Sequence, residues 1–461
     1  MASPVRAATL RMTIVLAMAL ALSGYLPAGA HAAGFVTRSG DQLLLDGGAY
    51  RFTGFNVYNA NSDGDCGPAM SSGSILDDSL TAMGASSNAF RAWFFQSLAT
   101  TGGERDWSTF DHALAVARSH GVKVIATLTN QFEDCEAPGS FKDESWYTAG
   151  YRAPDPAGTV SYRDWVAEIV GRYKNDPTIL AWQLVNEAEV QPGPAADCGA
   201  NAAQILKSFA TDVSGLVKSI DPNHLVSLGT IGSGQCGAEG AEYQDLHAVP
   251  TIDLCEYHDY GEPNAAMPGD GFNGLAVRID QCQALHKPIF VGESGIVPSD
   301  VGDGTLAARA DAFDAKFNAQ FCAGVAGELV WHWSTSGSQV DDHDVGAGDP
   351  TIGVLARYAL VPGDCARKPG EPGGTAAITF ISPAAVTSSP TKIATKKACR
   401  VPKVRRLSLK KAKKKLGKAG CRYKTRGKGR VVSTKPSAGK RTTKTVLVKA
   451  KPKKKGKGKR K

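Results

Sequence analysis

Ten cysteines occur in the 461 residues, yet no two of them form a C-x-x-C pair. Without that spacing a zinc site has little support. No G-x-G-x-x-G follows the first apolar run that reads as a strand, which argues against a dinucleotide-binding sheet. Beyond the N-terminus no apolar stretch is long enough to cross a bilayer. Acidic residues are missing from one end altogether: Thr391 to Lys461 holds 31 Lys and Arg and no Asp or Glu. The chain has 53 basic and 44 acidic residues in all, so 22 basic residues stand against 44 acidic ones before Thr391. An acidic body and a strongly basic tail are thus two physical objects on one chain.

Residues 1–32 carry the marks of a secretory signal peptide. Arg6 and Arg11 form a basic start, Thr13 to Leu22 an apolar stretch too short to span a membrane, and Ala30-His31-Ala32 a small-residue cleavage signal. Export fits the cysteine content, because disulfides persist in oxidising compartments. Eight cysteines (Cys66, Cys135, Cys198, Cys236, Cys255, Cys282, Cys322, Cys365) are spread through residues 33–365 and are expected to clamp loops, with the pairing left open. Residues 366–397 mix Pro, Gly, Ser and Thr without periodicity and read as a linker. Residues 398–450 suit a small domain, and residues 451–461 form a Lys-rich tail expected to be disordered.

Apolar runs alternate with amphipathic segments from residue 34 to about residue 365. The runs at 51–57, 88–95, 122–128, 179–185, 225–229, 252–257, 288–291 and 328–333 read as strands. Between them, Phe110, Ala113, Leu114 and Ala117 recur at helical spacing, and Trp165, Val166, Ile169 and Val170 share one face of a helix over 162–173. Eight strands alternating with helices predict an α/β chain folded as a (β/α)8 TIM barrel. A doubly wound open sheet is the alternative.

Two of the runs stop at a glutamate: Trp182-Gln183-Leu184-Val185-Asn186-Glu187 and Pro288-Ile289-Phe290-Val291-Gly292-Glu293. In a barrel these carboxylates fall at the C-terminal ends of strands four and seven, where barrel enzymes keep their chemistry. Two carboxylates about 5–5.5 Å apart are what retaining cleavage of a glycosidic bond requires. Singly, each would pass for a loop or cap residue. Asn186 precedes Glu187 and can bond a sugar hydroxyl. Arg91, at the mouth of the second strand, can hold a carboxylate ionised. His258 and Tyr260 close the sixth strand, the histidine to orient an acid or a sugar and the tyrosine to donate to the nucleophile. Trp331 and Trp333 bracket His332 at the eighth strand, and an indole face offers a pyranose ring an apolar platform. Core packing is expected of at least one of them.

At these residues the chain resembles a secreted family-5 glycoside hydrolase of clan A. Phe90-Arg91-Ala92-Trp93-Phe94-Phe95, the run Gly121 to Gln131, and Tyr173 to Trp182 leading into Asn186-Glu187 are similar to stretches of that family's endo-β-1,4-mannanases. The resemblance covers roughly residues 35–333. It implies acid/base for Glu187, nucleophile for Glu293, and no cofactor or metal. The chain departs from the family pattern at Ala188-Glu189, at Ser294-Gly295 and at Asp259-Tyr260. β-Mannan is the implied substrate; an endo-β-1,4-glucanase (cellulase) and a non-catalytic wall-binding protein are the alternatives.

The C-terminal segment resembles a PASTA domain of α+β type. Val401-Pro402 opens it, Leu407, Leu409, Ala412 and Leu416 follow a helix pattern, and Pro436-Ser437-Ala438-Gly439 with Val446-Leu447-Val448 match the closing turn and strand. The resemblance implies a Cys399–Cys421 disulfide and attachment to peptidoglycan. The positive charge alone attracts acidic wall polymers, and in an exported protein nucleic acid is not the expected partner. The expected whole is an extracellular monomer, associated with the cell wall and free of membrane once the leader is cut.

Overall fold

Eight parallel strands form the centre: β1 Phe52–Asn56, β2 Ala89–Trp93, β3 Lys123–Thr127, β4 Ile179–Gln183, β5 Leu225–Ser227, β6 Cys255–Asp259, β7 Ile289–Ser294 and β8 Gly327–Val330. They read as near-continuous apolar runs because helices cover the outside of the sheet and side chains fill its inside. Each strand lies parallel to the next, and β8 returns to pair with β1, Leu329 opposite Gly54. β5 and β6 meet through a single bridge, Ser227 to Leu254, where the amides of Asp253 and Leu254 both donate to the Val226 carbonyl at 2.8 and 3.1 Å. That contact completes the ring predicted from the alternating pattern.

The computed structural model describes residues 34–359, except 63–65, 67–69, 137–138, 155–158 and 195, and residues 399–451, except 406, 420, 422, 427–429, 436–440 and 443–445. The expected leader and linker, and the tail beyond residue 451, lie outside the described residues. Each barrel strand is followed by a helix: α1 Ile75–Met83, α2 Ser108–Ser119, α3 Tyr162–Tyr173, α4 Ala202–Ile220, α5 Ala241–His247, α6 Leu275–Ala284, α7 Leu306–Cys322 and α8 Pro350–Ala359. The start of α3 is set by Ser161, whose hydroxyl accepts from the Asp164 amide, and that of α7 by Thr305, which accepts from the Ala308 amide. No helix among the described residues is long and apolar enough to cross a membrane.

Two large apolar clusters hold the barrel, with a small one of Cys66, Trp93 and Phe95 beside them. The larger of the two fills the space between sheet and helices. The other fills the inside of the ring with Phe52, Ala89, Ile125, Leu180, Phe290 and Leu329. Val36 and Leu43 join it from a three-stranded antiparallel sheet (Val36–Ser39, Gln42–Leu45, Gly48–Tyr50), which plugs the N-terminal end of the barrel. The sequence reading did not foresee that plug. It also misplaced strand ends. The sixth strand, expected at 252–257, runs from Cys255 to Asp259, the seventh continues past Val291 through Glu293 to Ser294, and the eighth stops at Val330.

Disulfides join Cys66 to Cys135, Cys198 to Cys236 and Cys255 to Cys282. The first two tie loops at the C-terminal rim, those after β1 and β3 and those after β4 and β5.

By its internal contacts the chain divides into two compact units, Met1–Thr375 and Ala376–Lys461. In the second, Tyr423–Arg426 pairs parallel and Arg430–Lys435 antiparallel with Val446–Lys451. The helix Leu409–Lys418 buries Ala412 and Leu416 with Val401, Val404, Val431 and Val448. Its lysines Lys410, Lys411, Lys413, Lys414, Lys415 and Lys418 are exposed. Cys421 is disulfide-bonded; the side chain of Cys399, its expected partner, lies outside the described residues.

Candidate active site

The C-terminal ends of the strands converge on a buried guanidinium. Arg91, fully buried on β2, donates through Nε to Gln183 (2.8 Å), through Nη1 to Asn56 (2.9 Å) and Glu293 Oε1 (2.7 Å), and through Nη2 to Asn186 (2.5 Å). Four strands are thereby tied to one planar fork, a geometry lysine does not provide. Asn186 in turn donates to Asn130 at 2.9 Å.

Glu293 receives a second donor, the Tyr260 hydroxyl, at 2.6 Å on Oε2. His258 Nδ1 lies 2.8 Å from Glu187 and 3.6 Å from Glu293, and its Nε2 lies 3.2 Å from Glu256. Glu256 is itself fully buried and accepts from Gln183 (2.5 and 2.7 Å) and Ser227 (2.7 Å). One oxygen each of Glu187 and Glu293 and a nitrogen of His258 all lie within 4.8 Å of one another.

Burial on its own would discharge His258, but the charges of Glu293, Glu187 and Glu256 outweigh it and push the imidazole up to about 10. The ring thus keeps its positive charge through neutral pH, with Nδ1 facing Glu187 and Nε2 facing Glu256. Burial also works against ionisation of Glu256, yet the His258 hydrogen bond and charge, with Arg91 and Ser227, hold it below the usual carboxylate value. For Glu293, burial and the neighbouring Glu187 win over His258, Arg91 and Tyr260, and its carboxyl is raised above the ordinary value. Glu187, His258 and Glu293 are close enough to serve a cation.

Glu187 lies four residues beyond the end of β4 in a left-handed conformation (φ 59°), strained by roughly 1–2 kcal/mol for a non-glycine residue. Backbone bonds pin both flanks, from the Asn186 amide to Thr129 (2.8 Å) and from the Ala188 amide to Gly229 (3.0 Å). The strain turns this side chain toward His258 and the barrel axis. Its side chain is 17% exposed, against 5% for Glu293.

Trp331 lies half-buried at the rim, stacked on Tyr58 with ring centroids 5.3 Å apart, and Trp93 lies 6.1 Å from it. Trp333 is a core residue, edge-on to Phe55 at 5.4 Å. All the residues singled out from the sequence (Arg91, Asn186, Glu187, His258, Tyr260, Glu293 and Trp331) thus gather at one mouth. Sequence reasoning missed Glu256, Gln183, Asn56 and Asn130. Glu256 carried a usable signal, standing two residues before His258 on one strand face.

A closed parallel barrel with paired carboxylates at its C-terminal mouth has the layout of the retaining glycoside hydrolases. Residues 136–316 match the family model described as GH family 5 beta-mannosidase-like, and residues 400–449 match the PASTA domain. The chain is thus similar to family-5 β-mannosidase-like proteins in the first segment and to PASTA domains in the second. Among curated relatives, mannan endo-1,4-β-mannosidase A of Podospora anserina is 28% identical over 360 residues, covering 69% of this chain and 87% of its own length. The probable mannan endo-1,4-β-mannosidase F of Aspergillus flavus is 28% identical over 261 residues, covering 51% of this chain. The match spans only 50% of that relative's length. Of solved structures, the endo-1,4-β-mannanase of Rhizomucor miehei superposes with a TM-score of 0.54 at 21% identity, covering 70% of this chain and 98% of the other. The hyperthermostable endo-1,4-β-D-mannanase of Thermotoga petrophila gives 0.52 at 20%, covering 67% and 99%. At such identities the structural likeness shows the fold.

Proposed function

We propose that this protein is a secreted, retaining endo-β-1,4-glycanase that hydrolyses β-mannan and acts as a monomer. The observation that carries the reading is the pair of carboxylates, Glu187 and Glu293, with oxygens within 4.8 Å across the mouth. That spacing suits double displacement rather than a water held between two distant carboxyls. The Glu293 carboxylate, fixed by Arg91 and Tyr260, attacks the anomeric carbon and forms a glycosyl ester. Glu187 gives its proton to the departing glycosidic oxygen. The Glu187 carboxylate then takes a proton from water, whose oxygen attacks the same carbon and releases Glu293. The surroundings support these roles: Glu293 has two fixed donors and little exposure, while Glu187 has one side-chain partner and more contact with solvent for proton exchange. Asn186 is positioned to bond a sugar hydroxyl, and Trp331 to carry a pyranose face.

The names of the curated relatives support mannan as the substrate class. The disulfides Cys66–Cys135, Cys198–Cys236 and Cys255–Cys282 support export. The basic PASTA domain supports retention on peptidoglycan or acidic wall polymers. Glu187→Ala and Glu293→Ala are each expected to remove nearly all hydrolysis of soluble mannan while the circular dichroism spectrum is kept. Full turnover by either variant overturns the site assignment. Parallel assays on galactomannan, glucomannan and carboxymethyl cellulose decide the sugar, and hydrolysis of cellulose alone would replace mannan by β-glucan. Binding to a β-glycan without any turnover would make the protein a binding module.

A further inference from the structure

The hydroxyl that donates to Glu293 is buried against the carboxylate, while the ring that carries it reaches the surface. Tyr260 follows the end of β6 and is 40% exposed. Two residues from other loops confine its ring. Gly295, just past β7, lies so close that a Cβ there would come within 2.3 Å of Tyr260 Cε1 and 2.9 Å of His343 Cδ2. His343, in the loop between β8 and α8, packs edge-on to the Tyr260 ring, with centroids 5.4 Å apart and planes at 85°.

The loop that delivers His343 is itself anchored. Arg309 on α7 is fully buried and donates to the carbonyls of His343 (3.3 Å) and Asp344 (3.0 Å). It also pairs with Asp349 at 2.5 Å, and the Ser338 hydroxyl donates to the same carboxylate. Further back, the Val345 amide donates to the His332 carbonyl (3.0 Å) and the Ser334 amide to the Val345 carbonyl (2.9 Å), which ties the loop to the end of β8.

We propose that His343 is a positioning residue: its ring edge, delivered by the Arg309-anchored loop, keeps the Tyr260 hydroxyl on Glu293 Oε2. The inference rests on reading Glu293 as the nucleophile. An exposed tyrosine ring with no lateral contact turns between staggered rotamers, and only one of them reaches the carboxylate. An edge-to-face partner biases that choice by about three- to tenfold. Gly295 leaves the space in which tyrosine and histidine meet.

Groups around Glu293 come from three elements: Arg91 on β2, Glu187 after β4, and Glu256, His258 and Tyr260 on and after β6. Groups around His343 are Asp342 and Asp344 of its own loop, His332 just past β8, Asp300 before α7 and Arg309 on α7. The Tyr260 hydrogen bond is one of the interactions that favour ionised Glu293. Its loss therefore moves the acid limb of the activity profile to higher pH, which a purely structural role for His343 would not do.

The test uses the full chain with His343→Ala, His343→Phe, Tyr260→Phe and the Ala/Phe double variant. His343→Ala is expected to lower kcat about three- to tenfold with KM nearly unchanged. The acid limb should shift upward, as in Tyr260→Phe. In the Tyr260→Phe background the alanine change should add nothing, and His343→Phe should restore most of kcat by restoring the ring edge. A crystal structure of His343→Ala should show the Tyr260 hydroxyl away from Glu293. If the alanine variant does not fold, His343→Leu, which lacks a ring edge, carries the same expectations. An unmoved acid limb with the tyrosine still bonded to Glu293, or an additive loss in the double variant, overturns the proposal. A wild-type chain that turns over no β-glycan would defeat the glycanase reading, while the position of Tyr260 in the variant's structure would still decide the role of His343.

Discussion

Arg91 and Glu328 are both buried charged residues on barrel strands, with opposite surroundings. Arg91 spends its fork on four partners, including the carboxylate it faces. Glu328 on β8 is fully buried, and neither of its oxygens has a hydrogen-bond partner among the described residues. Burial, helped by the charge of Asp259 and only partly offset by Lys316, raises its carboxyl well above the ordinary value. A carboxyl raised on folding adds its full stabilisation below the unfolded value of about 4.3 and loses it as pH rises toward the folded one. Glu328→Gln is therefore expected to change the melting temperature little at pH 4 and to raise it increasingly toward pH 8. Thermal scans of both proteins across that range check this, and a difference flat with pH would show that Glu328 is not held neutral. At this scale the sequence was informative where a residue type is rare in its setting. A glutamate closing an apolar run, or an arginine inside one, draws notice. Glu256, Gln183, Asn56 and Asn130 are polar residues of ordinary kinds, and only their convergence on Arg91 and His258 gives them a role.

Strand β7 shows what an element adds to its residues. Phe290 points into the barrel and Val291 out toward the helices, so strict alternation would turn Glu293 outward. The pairing with β6 slips instead: Tyr257 faces Val291, and His258 faces Glu293. This bulge shifts the parity of the strand and aims Glu293 into the mouth. Gly292, at the slip, sits against the site, where a Cβ would lie 2.0 Å from Glu256 Oε1 and 3.1 Å from His258 Nε2. Gly292→Ala is thus expected to displace Glu256 and His258 and to cost on the order of a hundredfold in kcat/KM, the scale of a 1 Å misplacement. Kinetics on soluble mannan together with a crystal structure of the variant check it; near-wild-type turnover would mean that the carboxylate and ring tolerate the extra atom. The sequence reading ended this strand at Val291, where the apolar run gives way to Gly292 and Glu293. Arg91 on β2 and Tyr260 just after β6 supply the partners that let it continue.

At the scale of the whole molecule, stability and chemistry occupy opposite ends of the barrel. The antiparallel plug brings Val36 and Leu43 under the apolar floor, while polar side chains from six strands gather at the other end, among loops tied by two disulfides. The C-terminal unit has its own core and an exposed row of lysines without a carboxylate among residues 391–461. A chain ending at residue 391 is therefore expected to keep turnover of soluble mannan and to lose binding to isolated cell walls. That binding, in the full chain, should weaken as salt screens the charges. Sedimentation with purified walls over a salt series measures both, and equal binding by the shortened chain would refute the attachment role. Sequence by itself determined the alternation of eight apolar runs with helices, the two glutamates, the arginine and the division of charge, because each is a local pattern in composition or spacing. Closure of the ring at Ser227 and Leu254, the plug, the bulge at Gly292 and the loop that sets His343 on Tyr260 were decided only in the tertiary structure. The physical reason is that each depends on contacts between segments far apart in the chain, whose geometry no local pattern contains.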